Sequence, residues 1–152
     1  MSIASARDVP ELLRVINAAY EVEKFFVEGD RTNEHTVRRM MKTGVFLTST
    51  DESGQLTGCV YVELRGERGY FGMLSVDPAL QGRGLGRRLV DAAEDYARAN
   101  SCAAMDIRVV NLRTELPPFY EKLGYVETGH IEPASDPRAL QPFNFVTMSK
   151  AL

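Results

Sequence analysis

The stretch Met73 to Asn100, MLSVDPALQGRGLGRRLVDAAEDYARAN, restricts the fold of this chain more than any other. Met73-Leu74-Ser75-Val76 reads as the end of a strand, and Asp77-Pro78 closes it, because proline fixes φ and brings no amide hydrogen to a sheet ladder. Gln81-Gly82-Arg83-Gly84-Leu85-Gly86 then leads into a helix. Glycine at alternate positions permits a tight turn or the close approach of a ligand to the main chain. From Leu85 onward, Leu85, Leu89, Ala92, Ala93, Tyr96 and Ala97 recur three and four residues apart, while Arg87, Arg88, Asp91, Glu94, Asp95 and Arg98 fill the other positions. One face of this helix is expected on a sheet and the other in water.

The chemistry of this stretch lies at the helix start, where up to four backbone amides lack an intrahelical acceptor. Those amides, the helix dipole and the side chains of Arg83, Arg87 and Arg88 suit an anion of more than one charge. Each exposed dipole contact is worth only ~0.3–1 kcal/mol, so several donors must converge on one group, and the glycines allow that. Close packing of helix on sheet would explain the glycines alone, but not the glutamine and arginines among them. A nucleoside triphosphate loop would need a lysine followed by serine or threonine, and a dinucleotide loop an acidic residue placed for a ribose; neither is here.

Around this centre the chain reads as strands and helices in one α/β domain spanning residues 1–152. Ile3 to Ala6 is a short candidate strand, and Asp8 with Pro10 opens a helix whose apolar stripe is Leu12, Leu13, Val15, Ile16, Ala19 and Tyr20. Thr32 or Asn33 caps a second helix carrying Val37, Met40 and Met41, with Gly44 as its stop. Val45 to Thr50, Leu56 to Leu64 and Tyr70 to Val76 form successive antiparallel strands, separated by Asp51-Glu52-Ser53-Gly54 and Arg65-Gly66-Glu67-Arg68-Gly69. After the long helix, Ala104 to Val110 is a strand whose crossover connection implies parallel pairing with the strand before it. Ligands in such sheets lie beyond the carboxyl ends of the strands, which places Asn111 near the glycine loop. Thr114 or a residue beside it starts a helix containing Leu116-Pro117-Pro118-Phe119-Tyr120-Glu121-Lys122-Leu123, which Gly124 can terminate. Tyr125 to Ile131 and Phe143 to Ser149 form a final strand pair, joined by a long polar loop from Glu132 to Pro142 that is open to a role at a binding site.

Two segments together carry a family resemblance. Val76-Asp77-Pro78 followed by Gln81-Gly82-Arg83-Gly84-Leu85-Gly86, and Asn111 followed by Phe119-Tyr120-Glu121-Lys122-Leu123-Gly124-Tyr125, resemble the two signatures of the Gcn5-related N-acetyltransferase (GNAT) superfamily. The resemblance covers roughly the second half of the chain. It implies the acyl-CoA N-acyltransferase fold, a mixed, mostly antiparallel central sheet flanked by helices on both faces, with acetyl-CoA as the cofactor.

By that resemblance, the amides of Gly82, Arg83, Gly84, Leu85, Gly86 and Arg87 hold a pyrophosphate, with Gln81 and Arg88 beside it. Leu74 and Val76 pair with the pantetheine arm like an added strand, and Asn111 hydrogen-bonds it. Tyr120 protonates the departing sulfur. The early helix-loop-helix supplies acceptor contacts, for which Tyr20, Phe25, Phe26, Glu28 and Arg31 are the candidates, joined by Tyr70 and His130. Many relatives place a glutamate on the fourth strand to take the acceptor's proton; Arg68 to Leu74 contains no carboxylate, so Glu63 and Glu28 are the candidate bases, beside a water chain. Covalent attack by Cys59 is the weaker route, since an apolar strand setting argues for packing.

The net charge of −3 provides no positive field for nucleic acid or an anionic membrane, so neither is an expected partner. Cys59 and Cys102, with His35 and His130, form no metal-ligand spacing, and no metal is expected. No signal-peptide pattern or long apolar run is present, which fits a cytoplasmic enzyme. The expected reaction is acetylation of a small-molecule amine by direct attack. A noncatalytic CoA-binding sensor and an acetyltransferase for a protein N-terminus or lysine are the alternatives, and the sequence leaves a homodimer open.

Overall fold

Turn chemistry fixes the first half of the sheet. Asp51 Oδ1 accepts the backbone amides of Ser53 and Gln55 at 2.9 and 3.0 Å, and Gly54 takes φ +86°, so β2 (Val45–Thr50) folds back on β3 (Leu56–Arg65). A second reversal at Gly66 returns the chain as β4 (Arg68–Val76). The computed structural model describes residues 1–133 and 135–152. With β1 (Ser2–Ile3), β5 (Ala104–Val110), β6 (Val126–Ile131) and β7 (Phe145–Ala151), seven strands form one sheet in the order β1-β2-β3-β4-β5-β7-β6. Every neighbouring pair is antiparallel except β4 and β5.

The strand alternation gives each face its own core. On one face Val60, Val62, Phe71, Met105, Ile107 and Met148 meet Leu85, Leu89, Ala93 and Ala97 of α3 (Leu85–Ala99), with Tyr120 of α4 (Leu116–Lys122) alongside. On the other, Phe46, Cys59, Tyr61 and Met73 pack against Leu12, Val15 and Ile16 of α1 (Val9–Ala19) and Val37 of α2 (Glu34–Met40). α3 approaches so closely that a Cβ at Gly58 would lie 2.9 Å from Leu89 Cδ1. No helix among the described residues is long and apolar enough to cross a membrane.

One irregularity decides where a ligand can enter. β4 pairs with β5 only at Arg68, Gly69 and Tyr70, opposite Ala104, Met105 and Asp106. Beyond that point the strands part. The cause lies in β4, whose register against β3 shifts between Cys59 and Tyr61, and where Met73 takes φ +53°. A left-handed non-glycine residue costs about 1–2 kcal/mol. Met73 offsets this by burying its side chain, and its carbonyl accepts the Ser75 hydroxyl at 2.9 Å.

Several expected boundaries move for identifiable reasons. The first strand stops at Ile3, because Ser5 and Asp8 cap each other and wind Ala6–Asp8 into a 3₁₀ turn. α2 ends at Met40, whose carbonyl accepts the amides of both Thr43 and Gly44 in a turn. The last strand begins at Phe145, two residues later than expected. Within the loop expected from Glu132 to Pro142, Ala134 lies outside the described residues. Glu94, expected in water on the polar face of α3, is 2% exposed. It accepts the Tyr125 hydroxyl at 2.8 Å and pairs with Lys150 at 3.0 Å, tying α3 to the chain after α4 and to β7.

Breaking a buried ion pair by removing one partner costs ~3–5 kcal/mol. Because Lys150 keeps a quarter of its side-chain surface in water, Glu94→Ala should lower the unfolding free energy by about 2–3 kcal/mol, read by urea denaturation.

Candidate functional site

α3 opens without a side-chain cap. Its N-cap is Gly84 at φ +78°, preceded by Gly82 at φ +83°, so the amides that follow point out of the helix start with no side chain to receive them. A Cβ on either glycine would meet no atom within 4 Å, which leaves the space above the loop open. The Gln81 carboxamide donates to the Val76 carbonyl at 3.3 Å, and Asp77 accepts the Ala79 amide at 3.0 Å, fixing the loop to the end of β4.

A groove of about 470 Å3 runs from this loop along the released edge of β4. Leu74, Val76, Gln81, Gly82, Gly84, Leu85, Gly86 and Arg87 form one wall, and Leu116, Phe119 and Tyr120 of α4 the other. Arg83 and Arg88 instead line a neighbouring depression beside Ser49 and Thr57. Asn111 lines neither the groove nor the cavity beside it; its Oδ1 accepts the Asn144 amide at 2.8 Å, closing the ends of β5 and β7.

A second cavity, about 270 Å3, occupies the wedge between β4 and β5. Gly72, Met73 and Leu74 form one side and Ile107 to Val110 the other, under a rim of Tyr20, Glu23, Phe26, Arg31, Arg138 and Phe143. Tyr20, Leu74, Leu116 and Tyr120 border both spaces. Gly72 is required here, since a Cβ would sit 2.7 Å from the Tyr70 hydroxyl that lies over it.

Of the expected acceptor contacts, Tyr20, Phe26, Arg31 and Tyr70 line this cavity. Phe25, Glu28 and His130 do not. Phe25 is half exposed, turned outward with its ring against the edge of Phe26. Glu28 is exposed, and its amide donates to the Arg138 carbonyl. His130 lies on the outer edge strand β6, 3.6 Å from Glu127, because β7 intervenes between β6 and the wedge. Glu63 faces away too, held by the Tyr61 hydroxyl at 2.9 Å and Arg65 at 3.1 Å. Burial pushes the Glu63 carboxyl up, but these hydrogen bonds outweigh it and hold it below the usual carboxylate range.

The wedge also brings in groups that sequence patterns did not single out. Glu23, in a 3₁₀ turn directly after α1, is 8% exposed, and its Oε2 accepts Arg113 at 3.1 Å. Burial raises its pKa, an effect only partly offset by Arg113 and Arg31. Arg108 lies 4.7 Å from the Phe145 ring centroid and Arg31 5.2 Å from that of Tyr20. Burial pushes Tyr20 up to about 12 and raises the Tyr120 hydroxyl as well, so both are neutral donors near pH 7. Cys59, fully buried, is pushed up to about 12 by the same cause and is a packed thiol rather than a nucleophile.

An α/β sheet that parts beside a glycine-led helix is the fold of an acyl-CoA N-acyltransferase. A model of the acetyltransferase (GNAT) domain matches residues 16–151, and the chain belongs to this family, whose members use acetyl-CoA. Mycothiol acetyltransferase of Propionibacterium freudenreichii is 29% identical over 126 residues, covering 78% of this chain and 40% of that protein. Glucosamine 6-phosphate N-acetyltransferase 1 of Oryza sativa is 37% identical over 75 residues, 46% of this chain and 44% of its own length. The chain therefore spans less than half the length of these curated relatives. The phosphinothricin acetyltransferase of Sinorhizobium meliloti, solved with AcCoA, superimposes with a TM-score of 0.80 at 14% identity, over 99% of this chain and 86% of that one.

Gly84→Ala forces a side chain into left-handed backbone at the point where α3 starts. It should cost about 1–2 kcal/mol of stability and weaken CoA binding, measured by calorimetry, whereas Ala at Gly86, which has ordinary contacts, should do neither to the same degree.

Proposed function

We propose that this chain transfers an acetyl group from acetyl-CoA to the amine of a small molecule, with both reactants bound together. The observation that carries this reading is the meeting of the two cavities at Tyr120. The donor groove fits acetyl-CoA: the uncapped amides after Gly84 suit its pyrophosphate, and the free backbone edge of β4 at Leu74 and Val76 suits its pantetheine amides. Acetyl-CoA supplies an activated thioester, whose C–S bond breaks as the acceptor nitrogen bonds to the acetyl carbon, leaving a sulfur that needs a proton.

Tyr120 is the group placed to give that proton. It borders both spaces, its hydroxyl has no hydrogen-bond partner among the described residues, and burial keeps it protonated. At about 270 Å3 the wedge lies just below the ~300–1,000 Å3 typical of ligand sites, which favours a small acceptor over a polypeptide. Among the described residues neither Arg31 nor Arg108 has a carboxylate within ion-pair distance, and each guanidinium rests on an aromatic ring. Such a fork binds carboxylate and phosphate, so acceptors that carry an anionic group beside the amine are favoured, as glucosamine 6-phosphate does. Two buried free thiols suit the reducing cytoplasm as the place of action.

Thiol release from acetyl-CoA, followed over a panel of small amines with and without an acidic group, tests the function. Saturable turnover supports it; tight CoA binding without turnover on any amine would identify a sensor instead. Tyr120→Phe should lower kcat roughly 100-fold while leaving the Kd for CoA within a few fold, and an unchanged kcat with chemistry limiting removes the acid role.

A further inference from the structure

The reaction proposed above leaves the acceptor's proton unassigned. An alkylammonium has a pKa near ~10.4, so at neutral pH only a small fraction of the acceptor is nucleophilic. A group that takes its proton must reach the acceptor cavity, stand beside the meeting point of the two spaces, and be a carboxylate or imidazole with a free acceptor atom. Both histidines, Glu63 and Glu28 lie off the cavity. Asp136 lines it but is held by Arg138, and Asp30 is exposed on the rim.

Glu23 remains. It lines the acceptor cavity, whereas its ion-pair partner Arg113 lines the donor groove, so the pair stands astride the boundary between them. Arg113 engages Oε2 alone; Oε1 has no partner among the described residues. The charged groups that act on this carboxylate are Arg113 and Glu115 from the connection before α4 and Arg31 from the loop before α2, with the neutral Tyr20 on its own turn. Burial leaves Glu23 more basic than a carboxylate in water, and the two arginines offset part of that rise by favouring its ionised form.

We propose that Glu23, resting on the proposed acetyl-transfer reading, receives the acceptor's ammonium proton through Oε1, with Arg113 fixing its second oxygen. The nitrogen loses two protons in all. The first passes to Glu23 and leaves the nitrogen lone pair free to form the N–C bond. The second departs as the nitrogen becomes an amide, restoring the proton that Tyr120 gives to the sulfur when the C–S bond breaks. Glu23 then releases its proton to water, so the net yield is amide, free thiol and one proton.

The test is the pH dependence of kcat/KM for Glu23→Gln, which keeps an oxygen for Arg113 but cannot take a proton. On an acceptor the wild type acetylates, the loss should be about 100-fold or more near pH 7 and should shrink as the pH approaches the acceptor's own pKa. CoA affinity by calorimetry should stay within a few fold, and the urea midpoint should fall only modestly, because Glu115 still pairs with Arg113 at 2.6 Å. Glu23→Asp should retain the acid limb that Glu23→Gln lacks. An infrared difference spectrum of wild type against Glu23→Gln should show one carboxyl titrating above the ordinary ~4.3 of glutamate. A loss that is the same at every pH, or no loss, or Asp and Gln variants behaving alike, overturns the assignment while leaving acetyl transfer standing. A wild type that binds CoA but acetylates no amine overturns both.

Discussion

Everything functional in this molecule depends on two parallel strands that stop pairing after three residues. In an ordinary sheet the backbone groups of Phe71 to Val76 and Ile107 to Val110 would satisfy one another. Here the kink at Met73 turns β4 away, and the cost of that conformation is borne by a well-packed core on both sheet faces. The result is a wedge with main-chain donors and acceptors on its walls and aromatic rings at its mouth. α3 begins at the same end of the same strand, so the uncapped amides and the open strand edge form one continuous surface.

The low-dielectric setting gives the ionisable groups their character. Tyr20 and Tyr120 stay protonated, Cys59 stays inert, and Glu23 becomes more basic, all through the same burial. Specific partners then separate one residue from another. Glu63 has two hydrogen-bond donors that hold it ionised and off the cavity, whereas Glu23 has one arginine and one open oxygen. Sequence type alone does not distinguish these glutamates; their partners do.

Much of the fold was legible because periodicity and turn residues agree. β2 and β5 fall where alternation placed them, and α3 begins at Leu85 where the glycine loop ends. The groove beside α3 was partly legible because most of its lining is contiguous: Gln81, Gly82 and Gly84 to Arg87 follow closely on a strand ending at Val76, while Arg83 turns to the neighbouring depression. The wedge was legible only in part: Tyr20, Phe26, Arg31 and Tyr70 line it, whereas Phe25, Glu28 and His130 do not. Its walls come from four separated segments, and Glu23 sits in Glu21-Val22-Glu23-Lys24, which has the look of a solvated helix end. What buries it is Arg113, ninety residues away, a pairing no local pattern encodes. Asn111, expected to hydrogen-bond the pantetheine arm, lies just beyond β5 as its position implied, but its side-chain oxygen accepts the Asn144 amide. Glu94, expected in water, is buried for a similar reason, because a tyrosine and a lysine distant in sequence make its burial tolerable.

The order of the strands bears on how the chain is made. β7 lies between β5 and β6, yet it is the last of the seven to be synthesised. Until residues 145–151 emerge, β5 has an uncovered edge and β6 has no neighbour, so a nascent chain carries two open templates for pairing with other chains. Lys150, near the far end of that strand, then meets Glu94 on a helix formed long before it. Insertion of the final strand is thus both the closing event of the sheet and the moment at which a buried carboxylate, already near Arg98 of its own helix, gains its shorter ion pair.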